Sequence, residues 1–359
     1  MKIVTIIGAR PQFVKAAALS REFAKHNSIE EVLVHTGQHF EANMSEVFFE
    51  EMEIPKPKYN LGINSLSHGA MTGRMLEEIE KVIIAEQPDI LLVYGDTNST
   101  LAGAIAAKKL LIKVAHVEAG LRSFNMDMPE EVNRILTDRV SDFLFCPTQT
   151  AIDNLQKEGY ENLNCQVINT GDVMQDAALF YAEKSEEKST IIEDINQKKF
   201  ILATLHRADN TDDKYKLKEI VEALNYIHAE VCPVVLPLHP RTKAKLNLFG
   251  IDLKVKLIDP VGYFDMIELL KNCELVMTDS GGLQKEAYFF KKNCVTMREQ
   301  TEWLELIETK INVLVGSDRD LIIKGTKEML KTKSDFSKNL YGNGNATKNI
   351  AEVLLSKIN

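Results

Sequence analysis

Acids, cations and histidines in this chain gather just behind short apolar runs. Gly95-Asp96-Thr97 follows one run, and Glu118 ends another in His116-Val117-Glu118. Glu130 opens a helical pattern at Pro129-Glu130-Glu131, and His206 and Arg207 follow a run ending at Leu205. Carboxylates and a histidine in such places can move protons. Each also has a plainer reading. Asp96 can be a helix N-cap, Glu118 a buried acid paired with Arg122, Glu130 an ordinary dipole partner, and His206 a satisfied core residue. Anion chemistry sits beside them. Thr278-Asp279-Ser280-Gly281-Gly282 joins an apolar run to a helical pattern, where first-turn N–H groups can hold a phosphate. Glu286, one turn later, suits a sugar hydroxyl. Arg10 and Lys15, near the start of the first helical pattern, oppose its dipole. A bound anion explains them better than helix stability does. His239 repeats the His206-Arg207 arrangement one run later, and with Arg207 and Arg298 it joins the ligand-binding set. The chemistry implied is proton transfer beside a bound nucleotide diphosphate.

The elements that must carry these residues read as buried parallel strands. The runs are Ile3–Ile7, Val32–His35, Ile90–Tyr94, Val114–Val117, Phe143–Cys146 and Val167–Thr170. After a break come Ile201–Leu205, Val234–Leu238, Val255–Ile258, Leu275–Met277 and Val295–Met297. They are rich in β-branched residues, lack polar alternation, and are separated by amphipathic stretches. That predicts an α/β protein with crossover helices. The charged stretch Tyr181–Lys199 reads as a surface helix or linker, and the tail Ala346–Ile358 as one amphipathic helix. Two Rossmann-like domains are expected, with a boundary between about Thr170 and Phe200. The first spans 1–175; the second spans 176–344 and holds the nucleotide. Ligand crevices of doubly wound sheets lie at the strand C-termini, so a cleft between the domains is the expected active site.

Composition narrows the classes. With 43 basic and 52 acidic residues the net charge is −9, against a nucleic-acid footprint. The five cysteines are scattered with no CxxC, and read as reduced core thiols of a cytoplasmic protein. A strand pattern begins at Lys2, which predicts no signal peptide, and no apolar run approaches the roughly 18–20 residues that span a bilayer. There is no Gly-x-Gly-x-x-Gly after the first strand, no Gly-x-Ser-x-Gly and no Cys/His metal set.

In order along the chain, GARPQFVK (Gly8–Lys15), TGQH (Thr36–His39), YGDTNS (Tyr94–Ser99), HVEAGLR (His116–Arg122), PEEVNR (Pro129–Arg134), TLHRADN (Thr204–Asn210) and TDSGGLQKEA (Thr278–Ala287) resemble the non-hydrolysing UDP-N-acetylglucosamine 2-epimerases. The resemblance implies a glycosyltransferase-B-type pair of Rossmann-like domains, a homodimer, and a last helix that crosses back to the first domain. The reaction it implies reversibly inverts C2 of a UDP-2-acetamido sugar, UDP-GlcNAc to UDP-ManNAc, through elimination of UDP to a 2-acetamidoglucal, with no redox cofactor or catalytic metal; the same chemistry on UDP-2,3-diacetamido-2,3-dideoxy-glucuronate is the alternative. Asp96, Glu118 and Glu130 would then be the acid/base groups, with His206 near the leaving phosphate. Arg10, Lys15 and Ser280-Gly281-Gly282 would hold the diphosphate, and Glu286 the ribose. A glycosyltransferase of the same fold is the reading from another class. The chain departs from the family pattern at Gln12, usually Glu, and at Trp303, usually Arg. It also has a Glu118-to-Glu130 gap two residues shorter than usual, and Glu41 and Ser65 where regulated members carry Gln and Arg. These departures resemble the branch acting on UDP-2,3-diacetamido-2,3-dideoxy-glucuronate.

Overall fold

The computed structural model describes residues 1–38 and 55–356, apart from the Arg10 side chain. His39 of the TGQH stretch and Glu41 lie outside the described residues. The chain forms two compact units, Met1–Ala177 with Leu340–Asn359, and Ala178–Asn339.

The first unit is built on seven parallel strands: β1 (Lys2–Ile7), β2 (Glu30–His35), β3 (Tyr59–Asn60), β4 (Ile90–Tyr94), β5 (Lys113–Val117), β6 (Phe143–Cys146) and β7 (Gln166–Asn169). Their order is β3-β2-β1-β4-β5-β6-β7. Ile3, Val4, Ile6 and Ile7 of β1 and all five residues of β4 are buried, because helices cover both faces of the sheet. The second unit repeats the plan with β8 (Ile201–Thr204), β9 (Val234–Pro237), β10 (Lys256–Ile258), β11 (Leu275–Thr278), β12 (Cys294–Thr296) and β13 (Asn312–Leu314), in the order β10-β9-β8-β11-β12-β13. The α/β class and the doubly wound parallel sheets are those the sequence predicts. Strand order reverses between β1 and β4, and again between β8 and β11. These are the switch points where such sheets leave a crevice at the strand C-termini.

Two strands escape the sequence reading. β3 is only two residues long, and in β13 the polar Asn312 interrupts the apolar run. Its side chain is buried and bonded to Thr296 Oγ1 (2.8 Å) and Gln284 Oε1 (3.0 Å). The charged Tyr181–Lys199 stretch also differs from a surface linker. Its first part continues the helix Val173–Lys188, and Tyr181 is fully buried with its ring edge-on to Tyr263 (5.6 Å) and Phe264 (5.7 Å). All five cysteines are free, and Cys146, Cys273 and Cys294 are core thiols. Cys165 and Cys232 are only partly buried.

The last helix, Ala346–Ser356, buries Ile350, Ala351 and Leu354 in the first unit and is fastened there by backbone bonds as well. Asp172 N donates to the Tyr341 carbonyl (2.7 Å), and Gly171 and Gly342 cross so closely that a Cβ on Gly171 would lie 2.7 Å from the Tyr341 oxygen. Asp176 accepts from Ala346 N (3.1 Å), Thr347 N (2.9 Å) and Thr347 Oγ1 (2.7 Å), which caps the helix from outside it.

At the edge of the first sheet, Glu86 takes bonds from the Lys58 ammonium (2.6 Å), the Tyr59 hydroxyl (2.6 Å) and Lys2 Nζ (3.3 Å), which ties β3 to β1. Lys58, then Tyr59 and Lys2, hold its carboxyl down from 4.5 to about 2. A depressed carboxyl stabilises the fold above its unfolded value and loses that contribution as pH falls through the folded one. Glu86→Gln is therefore expected to unfold at lower urea than the parent at pH 7. The gap should narrow below about pH 4.5 and close near pH 2.

Candidate active site

In the first unit the crevice at the β1/β4 switch point is lined by the loops after β1, β4 and β5. Gln12 organises it. Its carbonyl oxygen accepts from Gly8 N (2.8 Å) and Ala9 N (3.0 Å), and its amide nitrogen donates to the Tyr94 carbonyl (2.8 Å) and lies 3.0 Å from both Thr97 Oγ1 and Thr100 Oγ1. A carboxylate there has no hydrogen to give the Tyr94 carbonyl, so the family's usual Glu cannot make this set unless protonated.

The β4/β5 register, Tyr94 opposite Val117, brings Gly95-Asp96 beside Glu118. Glu118 forms an ion pair with Lys15, not with Arg122 as the sequence suggests. Arg122 turns away to Asp138 (2.7 Å) and Glu158 (2.7 Å). Glu118 has φ +73°, where a side chain costs about 1–3 kcal/mol, and this is the sort of strain found at functional sites. Asp96 is not the N-cap of the helix Asn98–Lys109. That role belongs to Thr97, whose Oγ1 accepts from Thr100 N (3.2 Å). Asp96 instead pairs with Arg134. Desolvation pushes its carboxyl up and neighbouring Glu118 adds to this, while Arg134 and Lys15 oppose it.

Of the two adjacent acids opening the helix Pro129–Val140, Glu131 is structural. Buried, it accepts from Ser123 N (2.9 Å), Ser123 Oγ (2.8 Å), Phe124 N (2.9 Å) and Arg134 Nη1 (2.9 Å). Glu130 is exposed and makes no ion pair among the described residues. Arg10 is the first residue of the helix Arg10–Phe23; its side chain lies outside the description.

In the second unit the β8/β11 switch point is fixed by Asp279. Fully buried, it accepts from His206 N (3.0 Å) and Arg207 N (2.9 Å) and lies 3.3 Å from His206 Nδ1. The His206 ring remains 46% exposed, 6.3 Å from the ring of His239. The sequence reading puts His239 on the ligand, but its Nδ1 accepts from Arg241 N (3.2 Å) and caps the helix Pro240–Phe249. Only its other ring nitrogen can serve a ligand. Arg207 Nε bonds Asp209 (2.9 Å).

Ser280 caps the helix Gly281–Phe289 through its Oγ (3.5 Å from Leu283 N), so the N–H groups of Gly281 and Gly282 are left without intrahelical acceptors. Arg298 lies against this helix start. It is buried, with Nη2 3.2 Å from Glu302 and Nη1 without a hydrogen-bond partner among the described residues. A Cβ on Gly281 would come within 2.5 Å of Glu302 and 3.4 Å of that Nη1. Trp303 is 4% exposed, and its indole N–H donates to the Gly281 carbonyl (2.9 Å) under the Lys285 ammonium, 4.1 Å from the ring centroid. Glu286 is half-buried one turn along the helix. Among the described residues no group of three or more His, Cys, Asp or Glu is placed to hold a metal ion.

The sequence reading missed Arg134, Asp279 and the anchoring role of Gln12. Arg134 stands three residues after Glu131, a helical ion-pair spacing that could have flagged it.

The UDP-N-acetylglucosamine 2-epimerase family model matches residues 21–355. A UDP-2,3-diacetamido-2,3-dideoxy-D-glucuronate 2-epimerase of Pseudomonas aeruginosa is 59% identical over 354 residues, 99% of each chain. The chain belongs to the UDP-N-acetylglucosamine 2-epimerase family. Within that family it is also 45% identical over 369 residues, again 99% of each chain, to the UDP-N-acetylglucosamine 2-epimerase of Methanocaldococcus jannaschii. The crystal structure of that enzyme with UDP-GlcNAc and UDP has a TM-score of 0.90 to this chain at 43% identity, covering 99% of this chain and 100% of its own. A Neisseria meningitidis UDP-GlcNAc 2-epimerase structure bound to UDP-GlcNAc has a TM-score of 0.88 at 30% identity, covering 99% and 100%.

Trp303 is the only tryptophan, so its emission reports on the Gly281 helix start alone. Titration of UDP is expected to change that emission in the parent protein and in Glu118→Gln alike. Trp303→Phe, which removes the indole bond to the Gly281 carbonyl, is expected to lower stability by about 0.5–1.5 kcal/mol in urea melts.

Proposed function

We propose that this family member inverts C2 of a UDP-2-acetamido sugar. One face of the sugar loses its C2 proton to a carboxylate while the C1–O bond breaks and its electrons leave with UDP. The resulting 2-acetamidoglucal takes back UDP at C1 as a proton arrives at C2 from the opposite face. Two faces require two acid/base groups. The observation that carries this reading is the pair Asp96 and Glu118 on adjacent strand ends, each with its own cation, Arg134 and Lys15. Glu130 is the third acid/base candidate, and His206, steered by Asp279, stands by the leaving phosphate.

The diphosphate is assigned to Arg10, Lys15, Arg207, Arg298 and the Ser280-Gly281-Gly282 helix start, with His239 beside it and Glu286 on the ribose. The reaction is redox-neutral and calls for no cofactor. The chain acts as a homodimer in the cytoplasm; no described helix is long and apolar enough to cross a membrane. The nucleotide-binding half spans 176–344, and 345–359 serves the first domain.

The sugar we favour is UDP-2,3-diacetamido-2,3-dideoxy-D-glucuronate. This rests on the 59% relative named for it and on Trp303, which gives its hydrogen bond to the protein where the family usually places an Arg. UDP-GlcNAc is the second reading, supported by the 45% relative and its UDP-GlcNAc complex.

Proton NMR in deuterated water with each sugar separates them. Deuterium is expected at C2 of the diacetamido-glucuronate, and faster exchange with UDP-GlcNAc reverses the preference. No exchange with either sinks the reaction. Sugar transfer to an acceptor without exchange marks a glycosyltransferase instead. Glu118→Gln is expected to lower exchange by at least about 100-fold while retaining UDP binding; full exchange in the variant removes Glu118 from the mechanism.

A further inference from the structure

His116 lies in β5 two residues before Glu118, fully buried. Its Nδ1 is 2.7 Å from Asp138 Oδ1, and its Nε2 is 2.7 Å from the Gly95 carbonyl oxygen. A carbonyl can only accept. Asp138 is an acceptor too, since its other oxygen takes bonds from Arg122 Nη1 (2.7 Å) and Gly120 N (3.2 Å). Burial pushes the Asp138 carboxyl up, but His116 and Arg122 outweigh it and hold the group below its ordinary value. A neutral imidazole would leave one ring lone pair facing an oxygen lone pair at 2.7 Å, with no water to intervene.

Charge balance gives the same answer. Arg122 also pairs with Glu158, through Nε (2.7 Å) and Nη2 (2.8 Å), so the cluster holds two carboxylates and one guanidinium. An imidazolium brings it to neutrality. The other ionisable groups around the cluster add no charge that alters this. Burial pushes the Cys146 thiol and the Tyr160 hydroxyl up, which keeps both neutral, and Arg139 sits 6.0 Å over the outer Tyr160 ring. On the far side of Gly95 stand Glu118 and Lys15, already paired with each other.

We infer that His116 is a positioning residue, held as a doubly protonated imidazolium, whose Nε2–H fixes the Gly95 carbonyl and through it the Asp96–Glu118 acid/base pair. Gly95 is the joint of that pair. It has φ +61°, and a Cβ built on it would lie 3.2 Å from Glu118 Oε2 and 3.6 Å from Lys15 Nζ. Its N–H already donates to the Val117 carbonyl (3.0 Å), so the direction of its carbonyl is what His116 decides. The next residue is Asp96. One side chain thus links the carbonyl before one candidate acid to the strand that carries the other.

Two measurements test this. In the parent protein with ¹⁵N-labelled histidine, the resonances that vanish in His116→Gln are expected to show two protonated ring nitrogens at the pH of the activity assay, as the two acceptors at 2.7 Å require. A neutral tautomer for His116 in the folded protein overturns the assignment, including the case in which Asp138 holds the proton. This arm uses no substrate and stands whether or not the epimerase reading does.

The second arm rests on that reading. In His116→Phe, kcat for C2 exchange is expected to fall about 100-fold with KM within a few-fold, the mark of displaced acid/base groups rather than lost binding. His116→Gln, which can still donate to the Gly95 carbonyl, should recover part of it. An unchanged kcat in His116→Phe, or a loss confined to stability and KM, overturns the positioning role. If the parent protein shows no exchange, the proposed function fails and the imidazolium is still decided by NMR.

Discussion

Charge placed at the buried C-terminal ends of parallel strands must be neutralised on the spot, and the first unit is arranged around that requirement. Asp96 has Arg134 and Glu118 has Lys15; Asp138, in the helix Pro129–Val140 that packs behind β5, has Arg122 and His116. Each acid draws its cation from a different segment of the chain. Lys15 reaches from the helix Arg10–Phe23, Arg134 from the helix Pro129–Val140, and His116 from within β5. An uncompensated carboxylate in such a place would raise its own pKa or unfold its surroundings. The same pairing that makes the site tolerable to the fold therefore holds two acids at a fixed geometry on adjacent strand ends.

The second unit meets the same demand with backbone instead. Buried Asp279 is neutralised mainly by N–H groups of His206 and Arg207, so its charge orients a loop rather than being cancelled by a salt bridge. At the helix start after it, Ser280 supplies the cap, and the two glycines have no intrahelical acceptors for their N–H groups, beside an Arg298 nitrogen that has no partner among the described residues. Donors without acceptors at a helix N-terminus favour an anion.

Two of the departures from the family pattern, Gln12 and Trp303, have different characters. Gln12 is buried and spends its amide on backbone and threonine hydroxyls, so it sets the shape of the β1 loop and touches the chemistry only through Gly8 and Tyr94. Trp303 replaces a usual cation with a donor aimed at the Gly281 carbonyl, and it places Lys285 over its ring. The positive charge near that helix start then rests with Arg298 and Lys285, held by the protein from behind.

The sequence by itself determined the class of fold and the list of candidate residues. Unbroken β-branched runs specify strands buried on both faces, and polar residues immediately after such runs must sit at strand ends. Asp96, Glu118, His206 and Ser280 were legible for that reason. Pairing was not. Whether Glu118 meets Arg122 or Lys15 depends on strand order and on the register of β4 against β5, which no local pattern encodes. The same holds for Asp96, where only the φ, ψ and side-chain bond of Thr97 show which residue caps the helix. Glu130 and Glu131 are alike as adjacent acids in one sequence motif. Tertiary packing buries Glu131 under three backbone and side-chain donors from Ser123 and Phe124 and leaves Glu130 in solvent. Local sequence fixes where a side chain stands along an element, and the neighbours brought by topology decide its charge, its partner and its use.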